Sequence, residues 1–562
     1  MEEASSRSSN IILDPLHQDS FAASLKILIK VIGTCIGPQA KLKLLRHEEG
    51  GSVTLTSSSQ RLFQLMSVKN IFSKIIISAA KSQLKSFSDG GLFCVLLILR
   101  TIHHALSIEY PLPVIGTIYE YYANLYTECL NHKDNLCVIN VDFSNFWHLR
   151  SIVHSILGSK PGCVLTSENK NLLACLILEA YLTIVPPPCT LLDDYNIRIL
   201  NLESFNVNHS KLFKGALVPL SKVDASCFQN KKNGTGPFRI ALFMTSLAGD
   251  AYLPIKNLEM SSSVSVANLI LKHMEGIIKK VILEKPSFVL CQKVIHPKLK
   301  KLLQNSGVWT LDRLGTETTK YIQIISGGSA NASLASEISY GSISSFEIQQ
   351  IGGKTFLLLN SEETPVVSLV MGHYNAEASA ELQVVCRQAI STLFHILQSN
   401  KICLGGGCTE IYTAHLWATK VKNLWSTIQN ETECTLGQLQ ETFSIFLKSV
   451  TDISVAIHQG SQLDFVTEHV YGHLWKLRDG QFPSGMDHCA CGQNVALDID
   501  SWSFLSDIGK SFVNSKAKVV ENSAFPDLLV LDELSCKVNA LSLGFETASL
   551  LLRTSVCVNN LQ

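Results

Sequence analysis

Three glycine-marked turns, Ile36-Gly37-Pro38, Phe87-Ser88-Asp89-Gly90-Gly91 and Leu404-Gly405-Gly406-Gly407-Cys408-Thr409-Glu410, lie two near the start of the chain and one far downstream. Glycine lets a backbone adopt positive φ and approach a ligand closely, and amides freed at a helix start cradle phosphate oxygens. The turns read as parts of one nucleotide site split across the sequence, so what lies between them decides the function. Two plainer readings stand beside this one. Gly405 to Gly407 suit any loop between helices, and Asp89 suits the N-cap of the apolar helix that follows it.

Hydrophobic periodicity divides the chain into three stretches. From about Ser20 to Asn131 and from about Cys403 to Val558 the period is helical. The clearest segment is the last, where Leu534, Val538, Leu541, Phe545, Ala548 and Leu552 form one stripe with Lys537, Ser542 and Glu546 off it. The middle alternates strand and helix. Ile240 to Met244 and Phe288 to Cys291 are continuous apolar runs of buried-strand type. After the second, Pro297 opens a helix bearing Leu299, Leu302 and Leu303, Gly307 caps it, and Val308 to Leu311 resumes a strand. Lys298, Lys300 and Lys301 on that helix read as a solvated face, with a contact patch as the alternative. No internal repeat is present.

Composition narrows the function. A length of 562 residues suggests roughly three or four domains. Charged residues make up 17% of the chain, against about 25% in ordinary globular proteins, so some surface is expected to be covered by partners. Lys plus Arg and Asp plus Glu both number 47, which gives no basic field for nucleic acid. The start, Met1-Glu2-Glu3-Ala4-Ser5-Ser6, is acidic where a signal peptide is basic. Leu92 to Leu99 is too short to span a bilayer, and Leu172 to Val185 is interrupted by Glu179 and ended by Pro186-Pro187-Pro188, so both read as buried helices and no membrane insertion is expected. Seventeen scattered cysteines read as reduced, buried small hydrophobes of a cytosolic protein.

Other motifs fail on spacing. Gly509-Lys510-Ser511 ends like a Walker loop, but the glycine that loop needs five residues before Gly509 is Phe504. His488-Cys489-Ala490-Cys491 has no second ligand pair to complete a structural zinc site. Neither a Gly-X-Ser-X-Gly elbow nor a His-Glu-X-X-His pair occurs.

The order, spacing and flanking helices of the glycine turns, together with Leu290-Cys291-Gln292-Lys293-Val294-Ile295-His296-Pro297, resemble the group II chaperonins, and within them a divergent chaperonin-like branch linked to Bardet-Biedl syndrome. The resemblance covers nearly the whole chain. It implies a mixed α/β, three-domain subunit: a helical equatorial domain from 20–132 and 401–558, a small intermediate domain from 133–203 and 362–400, and an α/β apical partner-binding domain at 204–361. It also implies ATP and magnesium as ligands, with Gly37, Pro38, Asp89, Gly90, Gly91, Gly405, Gly406 and Gly407 at the nucleotide and Asp89 on the metal.

Against the family pattern this chain is eroded. The motif Gly-Asp-Gly-Thr-Thr reads Ser88-Asp89-Gly90-Gly91-Leu92, which keeps the aspartate and loses both threonine hydroxyls. Gly-Pro-Lys-Gly-Met-Asp-Lys reads Gly37-Pro38-Gln39-Ala40-Lys41-Leu42-Lys43, without the second glycine. The two water-activating aspartates of the family correspond to Thr56 and Gln388, neither of which is a carboxylate base. General-base help is worth about 10²–10⁴-fold in rate, so ATP hydrolysis is expected to be weak or lost. The resemblance then implies a folding or assembly helper for the Bardet-Biedl ciliary coat complex, working with cytosolic chaperonin subunits and related chaperonin-like proteins at the centrosome or ciliary base. A hetero-oligomer is expected rather than a ring of this chain alone. The alternative is an ATP-hydrolysing ring subunit that folds clients, and the middle segment by itself also suits an α/β metabolic enzyme.

Overall fold

The computed structural model describes residues 9–37, 40–46, 53–133, 135, 137–144, 146–185, 196–203, 205–227, 233–248, 266–334, 337–362, 365–459, 474–476, 502–504 and 530–560. The chain forms two compact units, one from Met1–Cys175 with Glu377–Gln562 and the other from Leu176–Ala376.

In chain order the first part of the split unit carries β1 (Ser9–Leu13), α1 (Asp19–Gly33), β2 (Lys43–Arg46), β3 (Val53–Thr56), α2 (Ser59–Leu65), α3 (Ile71–Phe87), α4 (Gly91–Ala105), α5 (Leu112–Asn131), β4 (Val138–Asn140) and α6 (Phe146–Gly158). Helix α7 (Ser167–Ile184) carries the chain into the second unit. That unit holds β5 (Ile197–Glu203), β6 (Lys211–Lys214), β7 (Ala216–Leu220), α8 (Lys222–Cys227), β8 (Asn233–Phe243) and α9 (Val266–Leu283). It continues with β9 (Phe288–Cys291), α10 (Pro297–Asn305), β10 (Trp309–Leu311), α11 (Gly315–Ser326), β11 (Tyr340–Ile351), β12 (Lys354–Asn360) and β13 (Val367–His373). The return begins with α12 (Ala376–Ser399), β14 (Lys401–Leu404), α13 (Cys408–Thr432) and α14 (Leu436–Gln459). It ends with β15 (Leu474–Lys476), β16 (Trp502–Phe504), β17 (Leu531–Glu533), α15 (Leu534–Leu552) and β18 (Val556–Asn560).

Helix α4 is the axis of the split unit. Its sequence is apolar on every side, and the run Cys94 to Ile102 is buried throughout, as a helix surrounded by others requires. Helices α1, α3, α14 and α15 pack on it, and α13, α14 and α15 pack on α5. The α5 face presents Tyr119, Tyr122 and Tyr126 at helical spacing to Trp417, Phe446 and Phe545, with Trp417 and Phe446 stacked at 4.5 Å. Each such ring pair is worth about 0.5–1.5 kcal/mol beyond its buried area. The polar tips are satisfied: Tyr122 donates to the Leu439 carbonyl at 3.0 Å, and Trp417 Nε1 to the Tyr122 carbonyl at 3.0 Å. Sequence segments hundreds of residues apart thus share one core.

The second unit is built on a six-stranded sheet, β10-β9-β8-β11-β12-β7, parallel across β10, β9 and β8 and antiparallel beyond. Period-two alternation sorts its side chains. Ile240 and Leu242 pack with Tyr321 and Ile322 of α11, while Ala241 and Phe243 pack with Met274 and Ile278 of α9 and Leu299 of α10. Burial on both faces explains why these strands read as unbroken apolar runs. A separate three-stranded sheet runs β5-β13-β6.

Several expectations change. The first helical stretch contains the β2–β3 hairpin, whose four-residue strands are too short to show a period. Lys300 is no free face residue: its ammonium lies 2.8 Å from both Asp224 and Asp312. Lys537, off the apolar stripe, is buried and ion-paired. The N-cap of α4 is Gly90, in the left-handed region, and not Asp89. Pro38, the His488 to Cys491 cluster and Gly509 to Ser511 lie outside the described residues. Among the described residues the cysteines are free, and no helix is long and apolar enough to cross a membrane.

Candidate functional site

The turn between α3 and α4 is built by two left-handed residues, Ser88 (φ 60°) and Gly90 (φ 79°), with Asp89 between them. A Cβ on Gly90 would meet Gln83 Nε2 at 2.8 Å, so only glycine fits. Gln83 is fully buried and donates to the carbonyls of Asp89 at 3.1 Å and Cys536 at 3.2 Å, which ties the turn to α3 and α15. Because Gly90 is the cap, the Asp89 carboxylate is not spent on capping α4, and Asp89 lines a cavity of about 170 Å³. The first intrahelical bond at this end runs from the Cys94 amide to the Gly90 carbonyl. The amides of Gly91, Leu92 and Phe93 therefore have no intrahelical acceptor, and they present donors at the positive end of the helix.

Gly37 lines the same cavity from the end of α1, with φ 85° and a Cβ position only 2.1 Å from the Ile457 carbonyl oxygen. Ser59 at the start of α2, Thr392 of α12 and Lys160 in the loop after α6 also line it, while Leu92 and Phe93 make part of the wall apolar. Gly91 itself packs on Leu84.

The Gly405 to Gly407 turn is buried between β14 and α13 and does not line this cavity. The Gly405 amide donates to the Val530 carbonyl at 2.8 Å, and a Cβ there would meet Val530 and Asp532. Asp532 does line the cavity, so the glycine turn lies behind it. Lys537, also on the wall, reaches Asp532 at 2.8 Å and the buried Glu410 at 2.7 Å. Burial alone lowers a lysine pKa, but the charges of Asp532 and Glu410 overcome this and hold Lys537 well above its ordinary value.

Thr56 and Gln388 are both buried and neither lines the cavity. Thr56 donates to Glu381 at 2.7 Å. Gln388 sits one turn before Thr392, whose hydroxyl donates to the Gln388 carbonyl at 3.0 Å. Of the cavity carboxylates, Glu533 caps α15 through the Ser535 and Cys536 amides and Asp532 holds Lys537. Asp89 alone among them has no protein donor among the described residues. An unpaired carboxylate, the helix-start residues Leu92 and Phe93 with amides that have no intrahelical acceptor, a lysine and two glycine-only positions suit a phosphate with a divalent cation, and the residues fit that group at this end. Ser59, Lys160 and Lys537 have no motif in sequence. Lys160 stands alone before Pro161-Gly162, and Lys537 looks like any solvent-facing helix residue.

The TCP-1/cpn60 chaperonin family model matches residues 28–560. A Homo sapiens protein named molecular chaperone MKKS is 30% identical over 562 residues, covering 97% of each chain. Its Mus musculus counterpart is 29% identical over 558 residues with the same coverage. Thermosome subunit gamma of Saccharolobus solfataricus is 20% identical over 547 residues, 94% of this chain and 91% of its own.

Proposed function

The chain belongs to the TCP-1/cpn60 chaperonin family, and from that premise we propose a chaperonin-like protein that binds adenine nucleotide, hydrolyses it weakly or not at all, and assists the folding or assembly of partner proteins. The observation that carries the reading is the division of labour among the cavity carboxylates. Asp89 is unpaired and suited to magnesium, while Asp532 and Glu533 are already engaged and positions 56 and 388 hold no carboxylate. Magnesium, when bound, would neutralise phosphate charge. The α4 amides and Lys160 would position the phosphates, and among the described residues of the wall no carboxylate besides Asp89 is free to act as a base for water.

In this reading the residues at 20–132 and 401–558 act as the equatorial domain, 133–203 and 362–400 as the intermediate domain, and 204–361 as the apical partner-binding domain. The partners are cytosolic chaperonin subunits and Bardet-Biedl chaperonin-like and coat proteins, and the site of action is the centrosome or ciliary base. A second reading, an ATP-hydrolysing ring subunit, is favoured by the retained Asp89 and by the glycine-only positions 37 and 90.

Steady-state ATP turnover of pure protein, with Asp89→Ala as control, separates the two. Turnover within tenfold of an intact chaperonin subunit, abolished by the control, would establish the ring-subunit reading and remove the first. Native affinity purification from ciliated-cell cytosol, sized and identified by mass spectrometry, is expected to return a heteromeric complex containing chaperonin subunits.

A further inference from the structure

The segment Thr56-Ser57-Ser58-Ser59 carries four hydroxyls in a row, and the structure divides them three to one. Glu381 of α12, fully buried, accepts from the Thr56 hydroxyl at 2.7 Å, the Ser57 amide at 2.8 Å and hydroxyl at 3.0 Å, and the Ser58 amide at 2.7 Å. Arg61 adds a fifth contact at 3.2 Å. Ser58 caps α2 by accepting from the Arg61 amide. Ser59 is the residue of the four that lines the cavity, and its hydroxyl has no protein partner among the described residues.

We propose that Ser59 is a phosphate-binding residue of this site, its hydroxyl donating to a phosphate oxygen of the nucleotide in the cavity that it lines together with the start of α4. The inference rests on the nucleotide reading above and deepens it. Position 92, where a hydroxyl would stand at the start of α4, is Leu92, so that helix supplies amides and no side-chain donor. The Thr392 hydroxyl is engaged with the Gln388 carbonyl and cannot also donate. Ser59 is then the hydroxyl of the wall left to donate, and Glu381, by holding the residues on either side of it, four contacts before and one after, is its positioning residue. A group fixed in advance loses little freedom when the ligand arrives, so its bond is expressed in affinity.

The test is calorimetric titration of the full chain with ATP, ADP and adenosine, all with magnesium, for the wild type, Ser59→Ala and Ser59→Thr. A hydrogen bond to a charged oxygen predicts that Ser59→Ala weakens ATP and ADP about ten- to a hundred-fold, leaves adenosine unchanged, and that Ser59→Thr retains wild-type affinity. Equal weakening of adenosine and ATP would show a structural role and overturn the proposal. Unaltered ATP affinity in Ser59→Ala would overturn it while leaving the nucleotide reading intact. A folded wild type that binds none of the three ligands would overturn both.

Discussion

At the scale of single residues the structure turns on buried carboxylates and what satisfies them. Glu410 is almost fully buried, and Lys537 is its ion partner. Replacing Lys537 by methionine strands that charge, and stability should fall by about 3–5 kcal/mol. The lysine pKa is raised on folding, so its contribution is complete below the unfolded value near 10.4 and is lost only as pH rises through the higher folded value. Urea melts of wild type and Lys537→Met at pH 7 and pH 9 should therefore show the same gap; a gap that closes between them would refute the assignment. Glu381 makes a second case. Thr56→Asp would put a carboxylate where the Thr56 hydroxyl now donates at 2.7 Å. It should cost about 3 kcal/mol and should not restore ATP hydrolysis, because the new carboxyl would face Glu381 and not the cavity. None of this was legible in sequence. Glu381, Glu410 and Lys537 are ordinary helix residues until segments hundreds of positions apart are brought together.

At the scale of elements, what could be read from the chain was what repeats locally. The stripe of α15, the all-round apolarity of α4 and the doubly buried β8 and β9 each write their environment into successive residues. The β2–β3 hairpin does not, since four residues per strand give two points per face. The glycine turns were legible as turns, but not as to which opens onto the cavity. Gly90 does and Gly405 does not, because Val530 and Asp532 from the far end of the chain cover the latter. The α3–α4 turn therefore gives a sharp comparison. Gly90→Ala adds both left-handed strain and a clash with Gln83, whereas Gly327, with φ 65°, has open space around its Cβ position. Gly327→Ala should cost about 1–2 kcal/mol, the conformational penalty alone. Gly90→Ala should cost clearly more in the same denaturation assay and should also weaken nucleotide binding, since the amides at the start of α4 are set by that turn.

At the scale of the whole molecule, the low charge content finds its counterpart in apolar side chains left at strand edges. The β2–β3 hairpin and the β1–β18 pair are both two-stranded sheets, and Leu44 and Val53 on the first and Leu13 and Val558 on the second are exposed. A two-stranded sheet with unpaired edges and apolar side chains is a template for strand addition from another chain. These edges belong to the same unit as the cavity, so a partner that extends them adds to the body that would hold nucleotide. If the protein works in a hetero-oligomer, a charge on the hairpin should remove partners without unfolding the chain. Leu44 is 69% exposed, so Leu44→Glu should leave the thermal midpoint within about 2 °C, as surface substitutions do. The same variant should lose chaperonin subunits from native affinity purification. Undiminished recovery with an unchanged midpoint would move the contact away from the hairpin, and a uniform ring of the wild-type chain alone would replace partner-dependent assembly with self-assembly.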